Sequence, residues 1–255
     1  MTKEEILHAA MAQSALELGC RAEDFCRAEN VIVRAAADPR ARRYLRLPFF
    51  CNLVSYGGNL VASVSEEAEP AVRDYLARYP AAHCFETPHL HVLEAALRPM
   101  GQQVCFMAEY FLPDPAALTA RRCAYTLRLL APAEFQGLYT PEWSNALCAE
   151  RRQLDVLAVG AYDGARLIGL AGCSADCDGM WQIGVDVLPA YRRRGVAAAL
   201  TSRLAVETLR RGKIPFYCAA WSNLPSVRNA LRCGFFPTWV ELTARPAGEV
   251  EERNR

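Results

Sequence analysis

The sequence predicts an α+β protein in two parts: a mixed sheet holding one parallel strand pair in residues 123–247, and a second, smaller α/β domain in residues 1–115. Three observations carry this. The pattern strand, helix, strand between Val185 and Trp221 implies a parallel pair, because parallel neighbours need a crossover connection. Asp163-Gly164 and Asp178-Gly179 mark chain reversals, the first between two apolar runs that read as an antiparallel hairpin. Leu112-Pro113-Asp114-Pro115 sets two prolines in a short space and is the best boundary, in a chain whose 255 residues exceed one compact domain of typical size.

In the first part, Thr2 and Glu5 have capping-box spacing ahead of Ile6, Leu7, Ala10, Met11 and Leu18, and Gly19 is placed to end that helix. Phe49 to Tyr56, a Gly57-Gly58-Asn59 turn and Leu60 to Val64 read as strand, turn, strand. Val72, Leu76 and Tyr79 form one helical stripe, and Leu90, Leu93, Ala96 and Leu97 another, before a strand from Val104 to Phe111. Ala116 to Arg122 is a connection or a short helix.

In the second part, Val156 to Tyr162 and Leu167 to Gly172 are the hairpin strands. Val185 to Val187 then leads through Leu188-Pro189 into Arg192-Arg193-Arg194-Gly195-Val196-Ala197. A helix start has N–H groups without intrahelical partners and a favourable dipole, so it attracts anions wherever no bulky side chain blocks approach. Gly195 and Ala197 keep the approach open, and three arginines add planar phosphate donors, which suits a ligand with several phosphates such as coenzyme A. The helix continues to about Arg211, with Val196, Leu200 and Leu204 inward and Arg203, Glu207 and Arg210 on its wet side. Gly212 ends it, and a strand from Ile214 to Trp221 follows. Asn223 can cap the next helix, Pro225 fits its first turn, and Gly234 stops it before Phe235-Phe236. The charged tail Gly248–Arg255 is expected to be mobile.

Residues 124 to 243 resemble the GNAT acyltransferase superfamily. The resemblance rests on the strand ending in Val-x-Pro, on Arg192, Gly195 and Ala197 in the Arg-x-x-Gly-x-Ala loop, on the two turns, and on Asn223, Ser226 and Gly234-Phe235 downstream. It implies a mostly antiparallel sheet with the parallel pair at an acyl-CoA site. It further implies that backbone groups of Val185 and Val187 pair with the pantetheine arm and that the N–H groups of Arg193, Arg194, Gly195, Val196, Ala197 and Ala198 hold the pyrophosphate. Arg192 adds charge, and Asn223 and Ser226 lie near the coenzyme arm. The strands are expected to part beyond Val187 and Ala220, admitting the thioester. The family's usual acid and base are missing: a tyrosine position falls on Ala230, and glutamate positions fall on Trp181 and Cys218. Asp186, Asp178, Glu142 and Tyr217 are the remaining proton-handling candidates, so the catalytic residues stay unassigned. The acceptor pocket would draw on helices between Leu138 and Glu150 and on the first domain, which lacks a phosphate loop of its own and reads as substrate-shaping, dimerising or degenerate.

Composition narrows the partners. A formal charge of +1 argues against nucleic acid, which needs many phosphate contacts. No stretch reaches the roughly 20 apolar residues of a membrane span, and the beginning of the chain lacks a secretory apolar core, so a cytoplasmic setting without membrane is expected. Eleven cysteines, odd in number and dispersed, read as free thiols. Cys173 and Cys177 fall short of the four ligands of structural zinc, and His89 and His91 read as a solvated or capping pair, so no metal is expected. The leading reading is an acetyl-CoA-dependent N-acetyltransferase acting by direct attack of a primary amine, small molecule or peptide, with a homodimer left open. The alternatives are a non-catalytic acyl-CoA-binding or regulatory module, and an aminoacyl or longer-chain acyl transferase.

Overall fold

A computed structural model describes residues 1–255. In chain order its first elements are helix α1 (Lys3–Leu18), strands β1 (Val31–Arg34), β2 (Cys51–Ser55) and β3 (Val61–Val64), helices α2 (Glu69–Arg78) and α3 (Thr87–Leu97), and strand β4 (Gln102–Pro113). Strand β5 (Thr126–Leu130), the single turn α4 (Pro132–Phe135) and strands β6 (Asp155–Asp163), β7 (Arg166–Ser174) and β8 (Met180–Val187) follow. Helix α5 (Val196–Arg210), strand β9 (Ile214–Ala219), helix α6 (Leu224–Arg232), strand β10 (Phe235–Pro246) and helix α7 (Ala247–Arg253) complete the chain.

The chain forms two compact units, each made of two stretches: Met1–Ile6 with Tyr110–Pro237, and Leu7–Glu109 with Thr238–Arg255. The expected domains, 1–115 and 123–247, are contiguous, whereas these units exchange their ends. The division falls inside β4, ahead of the prolines, because the strand's halves serve different cores. Val104 and Met107 pack with Leu53 and Leu93, whereas Phe111 packs with Ile168 and Leu200. Prolines mark where a strand stops pairing, which is a different place from where a core stops.

The Tyr110–Pro237 unit has the mixed, mostly antiparallel sheet. Strands β5, β6, β7 and β8 are joined antiparallel in that order, and β9 lies parallel to β8. Gly164 at φ 60 makes the β6–β7 reversal, a conformation that costs a side-chain-bearing residue. Helix α5 lays Val196, Leu200 and Leu204, all at most 1% exposed, on one sheet face against Val159, Ile168 and Ile183. Glu207, expected on the wet side, is buried, and Arg203, Arg210 and Arg211 close around it. The opposite face is covered by the segment 132–154, which buries Phe135, Trp143 and Leu147 against Leu130, Ala158 and Leu170. Short 3-10 turns occupy that segment where helices were expected between Leu138 and Glu150.

The Leu7–Glu109 and Thr238–Arg255 unit is also of α/β make-up. β1 and β3 are parallel, while β2 runs antiparallel to β3 and β10. The Thr2–Glu5 capping box at the head of α1, in the Met1–Ile6 stretch that belongs to the Tyr110–Pro237 unit, forms in both directions, at 2.7 and 3.1 Å. Val72 and Leu76 of α2 and Leu93 and Leu97 of α3 cover one sheet face. The other carries a buried ionic cluster: Arg42 donates from Nε and Nη2 to both carboxylate oxygens of Glu17, and from Nη2 to Glu241 at 2.9 Å. The Ala247 N–H bonds the Gly101 carbonyl and starts α7, giving helical form to a tail expected to be mobile. We predict that Arg42→Ala, which strands two buried carboxylates, costs about 3–5 kcal/mol in chemical denaturation; a loss below about 1 kcal/mol would contradict the pairing.

Candidate functional site

The parallel contact between β8 and β9 is short. Met180 pairs with Ile214, Trp181 with Pro215 and Gln182 with Phe216, and there the ladder stops, although β8 runs on to Val187 and β9 to Ala219. The opening therefore begins five residues earlier on β8 than the expected point beyond Val187. The β7–β8 register decides which groups line it. Leu188 donates to Ile168 at 3.0 Å, so even-numbered residues of β8 turn their backbone groups to β7, since antiparallel bonding alternates. Odd-numbered residues, Val185 and Val187 among them, turn theirs to the side that β9 has left. The Val187 carbonyl is occupied by Arg192 Nε at 3.0 Å, which ties the following loop to the strand edge.

That loop takes a strained path. Pro189–Tyr191 form a 3-10 turn, Arg193 has φ 62 and Gly195 has φ 78. Arg193 is the one non-glycine residue of the chain in the left-handed region, where a side chain costs of order 1 kcal/mol. The first helical bond of α5 runs from Ala199 N–H to Gly195 O at 3.0 Å, so the N–H groups of Arg193, Arg194, Gly195, Val196, Ala197 and Ala198 precede the ladder and donate to no group of the chain. A methyl group on Gly195 would meet only the Arg122 carbonyl, 3.9 Å away. The loop is open and positively charged: Arg192, Arg193 and Arg194 are exposed, and Arg194 is steadied by the Tyr125 hydroxyl at 3.0 Å and the Tyr191 ring.

On the face opposite α5, the main chain of Asn145 and Ala146 lies on two paired glycines. A methyl group on Gly184 would come within 1.7 Å of the Asn145 oxygen, and one on Gly172 within 2.0 Å of the Ala146 oxygen. Asp186 fixes this contact by accepting the N–H of Asn145 (2.8 Å), its Nδ2 (2.6 Å) and the N–H of Ala146 (2.9 Å). Asp186 is thus an anchor for the covering segment.

The other proton-handling candidates are dispersed. Tyr217 is buried and shares a 2.8 Å hydrogen bond with Ser226 Oγ; burial pushes its hydroxyl pKa up. Asn223 Oδ1 accepts the Ser226 N–H at 3.3 Å, so Asn223 caps α6 and Ser226 joins the cap to Tyr217. Ala230 is fully buried beside Tyr217 and Phe235, leaving no room for a tyrosine ring without displacement. Glu142 is exposed, with its carboxyl held below the ordinary range by bonds to its own backbone and Thr140. Asp178 is exposed in the turn before β8. Trp181 packs into the α5 core, whereas its neighbour Gln182 points to the other face and donates from Nε2 to Cys218 Sγ at 3.3 Å. The period-two pattern Trp181-Gln182-Ile183-Gly184-Val185-Asp186-Val187 carried this information, since its apolar positions are all odd.

No three His, Cys, Asp or Glu side chains gather as a metal ligand set. Cys173 contacts Thr208, Cys177 contacts the Met180 carbonyl, and His89 stacks on Tyr79 while meeting the His83 carbonyl. No helix is long and apolar enough to cross a membrane.

Residues 124–235 match the acetyltransferase (GNAT) family. No curated protein matches the chain. Among solved structures, a GCN5-related N-acetyltransferase from Kribbella flavida is 20% identical with a TM-score of 0.49, over 62% of this chain and 65% of its own. A GCN5-related N-acetyltransferase-like protein from Streptococcus suis is 18% identical with a TM-score of 0.45, over 62% and 69%. A conserved protein of unknown function from Staphylococcus epidermidis is 13% identical with a TM-score of 0.44, over 75% and 86%. The chain thus spans about two thirds of the length of the first two.

Gly184→Ala is expected to destabilise the protein by about 1–3 kcal/mol, because the displaced atoms are backbone and cannot rotate away. Thermal unfolding checks this, and an unchanged midpoint would mean that the 145–146 segment yields freely.

Proposed function

We propose that this chain, whose residues 124–235 belong to the acetyltransferase (GNAT) family, transfers the acetyl group of acetyl-CoA to a primary amine of a small molecule or peptide by direct attack in a ternary complex. The observation that carries the reading is the run of six unspent N–H groups from Arg193 to Ala198 at the head of a 15-residue helix, beside a strand edge without a partner. A pyrophosphate fits the first feature, because successive main-chain donors and the helix dipole favour anions and the space above Gly195 is clear. Arg192, Arg193 and Arg194 add charge at its rim. The pantetheine amides fit the second: Val185 and the N–H of Val187 face the opening and would pair with an extended arm as a further strand does. When bound, the thioester supplies an activated acyl carbon and a thiolate leaving group. An N–H of the β8 edge would then stabilise the charge that grows on the acyl oxygen.

A thiol with an ordinary pKa near 8.5 leaves without a strong acid, so the buried alanine at position 230 is compatible with turnover. Asn223 and Ser226 would stand at the coenzyme arm while capping α6.

Calorimetry with acetyl-CoA and thiol release with a panel of amines test the reading. Binding accompanied by amine-dependent thiol release above hydrolysis is the expected result. Binding without release would favour an acyl-CoA-binding module, and preference for a longer acyl group would move the donor class. Gly195→Val should weaken acetyl-CoA binding at least about tenfold, because a branched side chain both strains the left-handed position and intrudes on the phosphate space. Unchanged affinity would remove the phosphate assignment.

A further inference from the structure

Gln182 stands at the last rung before β8 and β9 part. Its side chain leaves the sheet on the face of Gly184 and Asp186, away from the α5 core that receives Trp181 and Ile183. Its Nε2 is spent on Cys218 across the gap at 3.3 Å, which orients the amide, and its Oε1 accepts from no group of the chain. From this we infer, resting on the transferase reading above, that Gln182 positions the acceptor by accepting an N–H of the attacking amine, and that the acceptors are weakly basic primary amines which arrive uncharged.

An amide oxygen can hold an N–H but cannot take its proton. The titratable groups of this unit near Gln182 are otherwise engaged: Asp176, fully buried beside Ser174, the partner of Gln182 on β7, accepts the Ser174 hydroxyl at 2.8 Å and faces Arg151 at 3.5 Å. Asp186 carries three hydrogen bonds from the covering segment, and Cys218 accepts from Gln182 itself. Glu142, on the covering segment, is exposed. Asp155, with Tyr139 and Cys148 beside it, has its pKa pushed up to about 6 by burial and accepts the Cys148 N–H at 2.9 Å. It lies two strands away in the row Asp155, Ser174, Gln182, roughly 10 Å off at ordinary strand spacing. With no free carboxylate of this unit at Gln182, the ammonium proton goes to solvent before attack. At pH 7 an α-amine with pKa ~8 is about one tenth neutral, whereas a lysine side-chain amine with pKa ~10.4 is neutral about once in 2,500. Attack by the neutral amine then forms the nitrogen–carbon bond, the carbon–sulfur pair leaves on the thiolate, and one of the two nitrogen protons passes to that thiolate or to water while the amide keeps the other.

The test compares a dipeptide α-amine with Nα-acetyl-lysine, using thiol release from acetyl-CoA across pH 6 to 9, and calorimetry of acetyl-CoA on the same proteins. The wild type should prefer the dipeptide by at least about 50-fold at pH 7, with a rate that climbs toward the acceptor's own pKa. Gln182→Ala should raise the acceptor KM at least about tenfold at unchanged acetyl-CoA affinity. Gln182→Glu should narrow the preference, since a carboxylate there can take the proton. Equal use of the two amines, an unmoved KM in a folded Gln182→Ala, or a rate limb near pH 6 that Asp155→Asn abolishes would overturn the inference while the transferase stands. If Gln182→Ala does not fold, the wild-type amine preference and pH profile decide alone. Acetyl-CoA bound with neither amine acetylated overturns it too, whereas failure of acetyl-CoA to bind the wild type removes the transferase reading itself.

Discussion

The direct seating of main chain on main chain, Asn145 and Ala146 upon Gly172 and Gly184, is the constraint on which the Tyr110–Pro237 unit depends. Side chains at those glycines would hold the covering segment off the sheet, and with it Trp143, Leu147 and Phe135, whose burial closes that face. Asp186 makes the seating specific by converting a van der Waals contact into three hydrogen bonds with a carboxylate, the stronger kind. β8 therefore has two occupations. Its even positions hold a roof, and its odd positions send side chains into the α5 core and backbone groups to an edge that β9 deserts after Phe216.

The edge and the loop that follows it form one construction. A strand that loses its neighbour needs another way to hold its end, and Arg192 supplies it by reaching back to the Val187 carbonyl. The same turn forces Arg193 and Gly195 into left-handed conformations, which direct consecutive N–H groups outward at the helix head. Local strain here coincides with a run of unused donors.

Much of this was legible in the sequence because it is written in local chemistry. Gly164, Gly195, Gly212 and Gly234 all have positive φ at the turns and helix ends assigned to them. Asn223 caps α6 as its spacing before Ser226 and Pro225 suggests. Gly234 has a second reason to be glycine that local reading missed: a side chain would press on the Ala117 carbonyl at 2.8 Å. What stayed illegible is tertiary. Where β8 and β9 part depends on how two twisted strands diverge, and no residue type marks Gln182 as the last rung. The segment 132–154 has neither helical nor strand periodicity, and takes its shape from the sheet beneath it. Glu207 reads as a surface residue until three arginines close over it.

The Arg42 cluster joins residues separated by 199 positions. Glu241 lies on β10, in the stretch that completes the unit begun at Leu7, and the whole of Tyr110–Pro237 intervenes. A ribosome therefore finishes the inserted unit first. Until β10 emerges, the earlier unit lacks its strand beside β2, and Arg42 lacks its bond to Glu241. The unit begun at Leu7 is completed only when β10 pairs with β2, a contact of high sequence separation that must wait for the whole intervening unit.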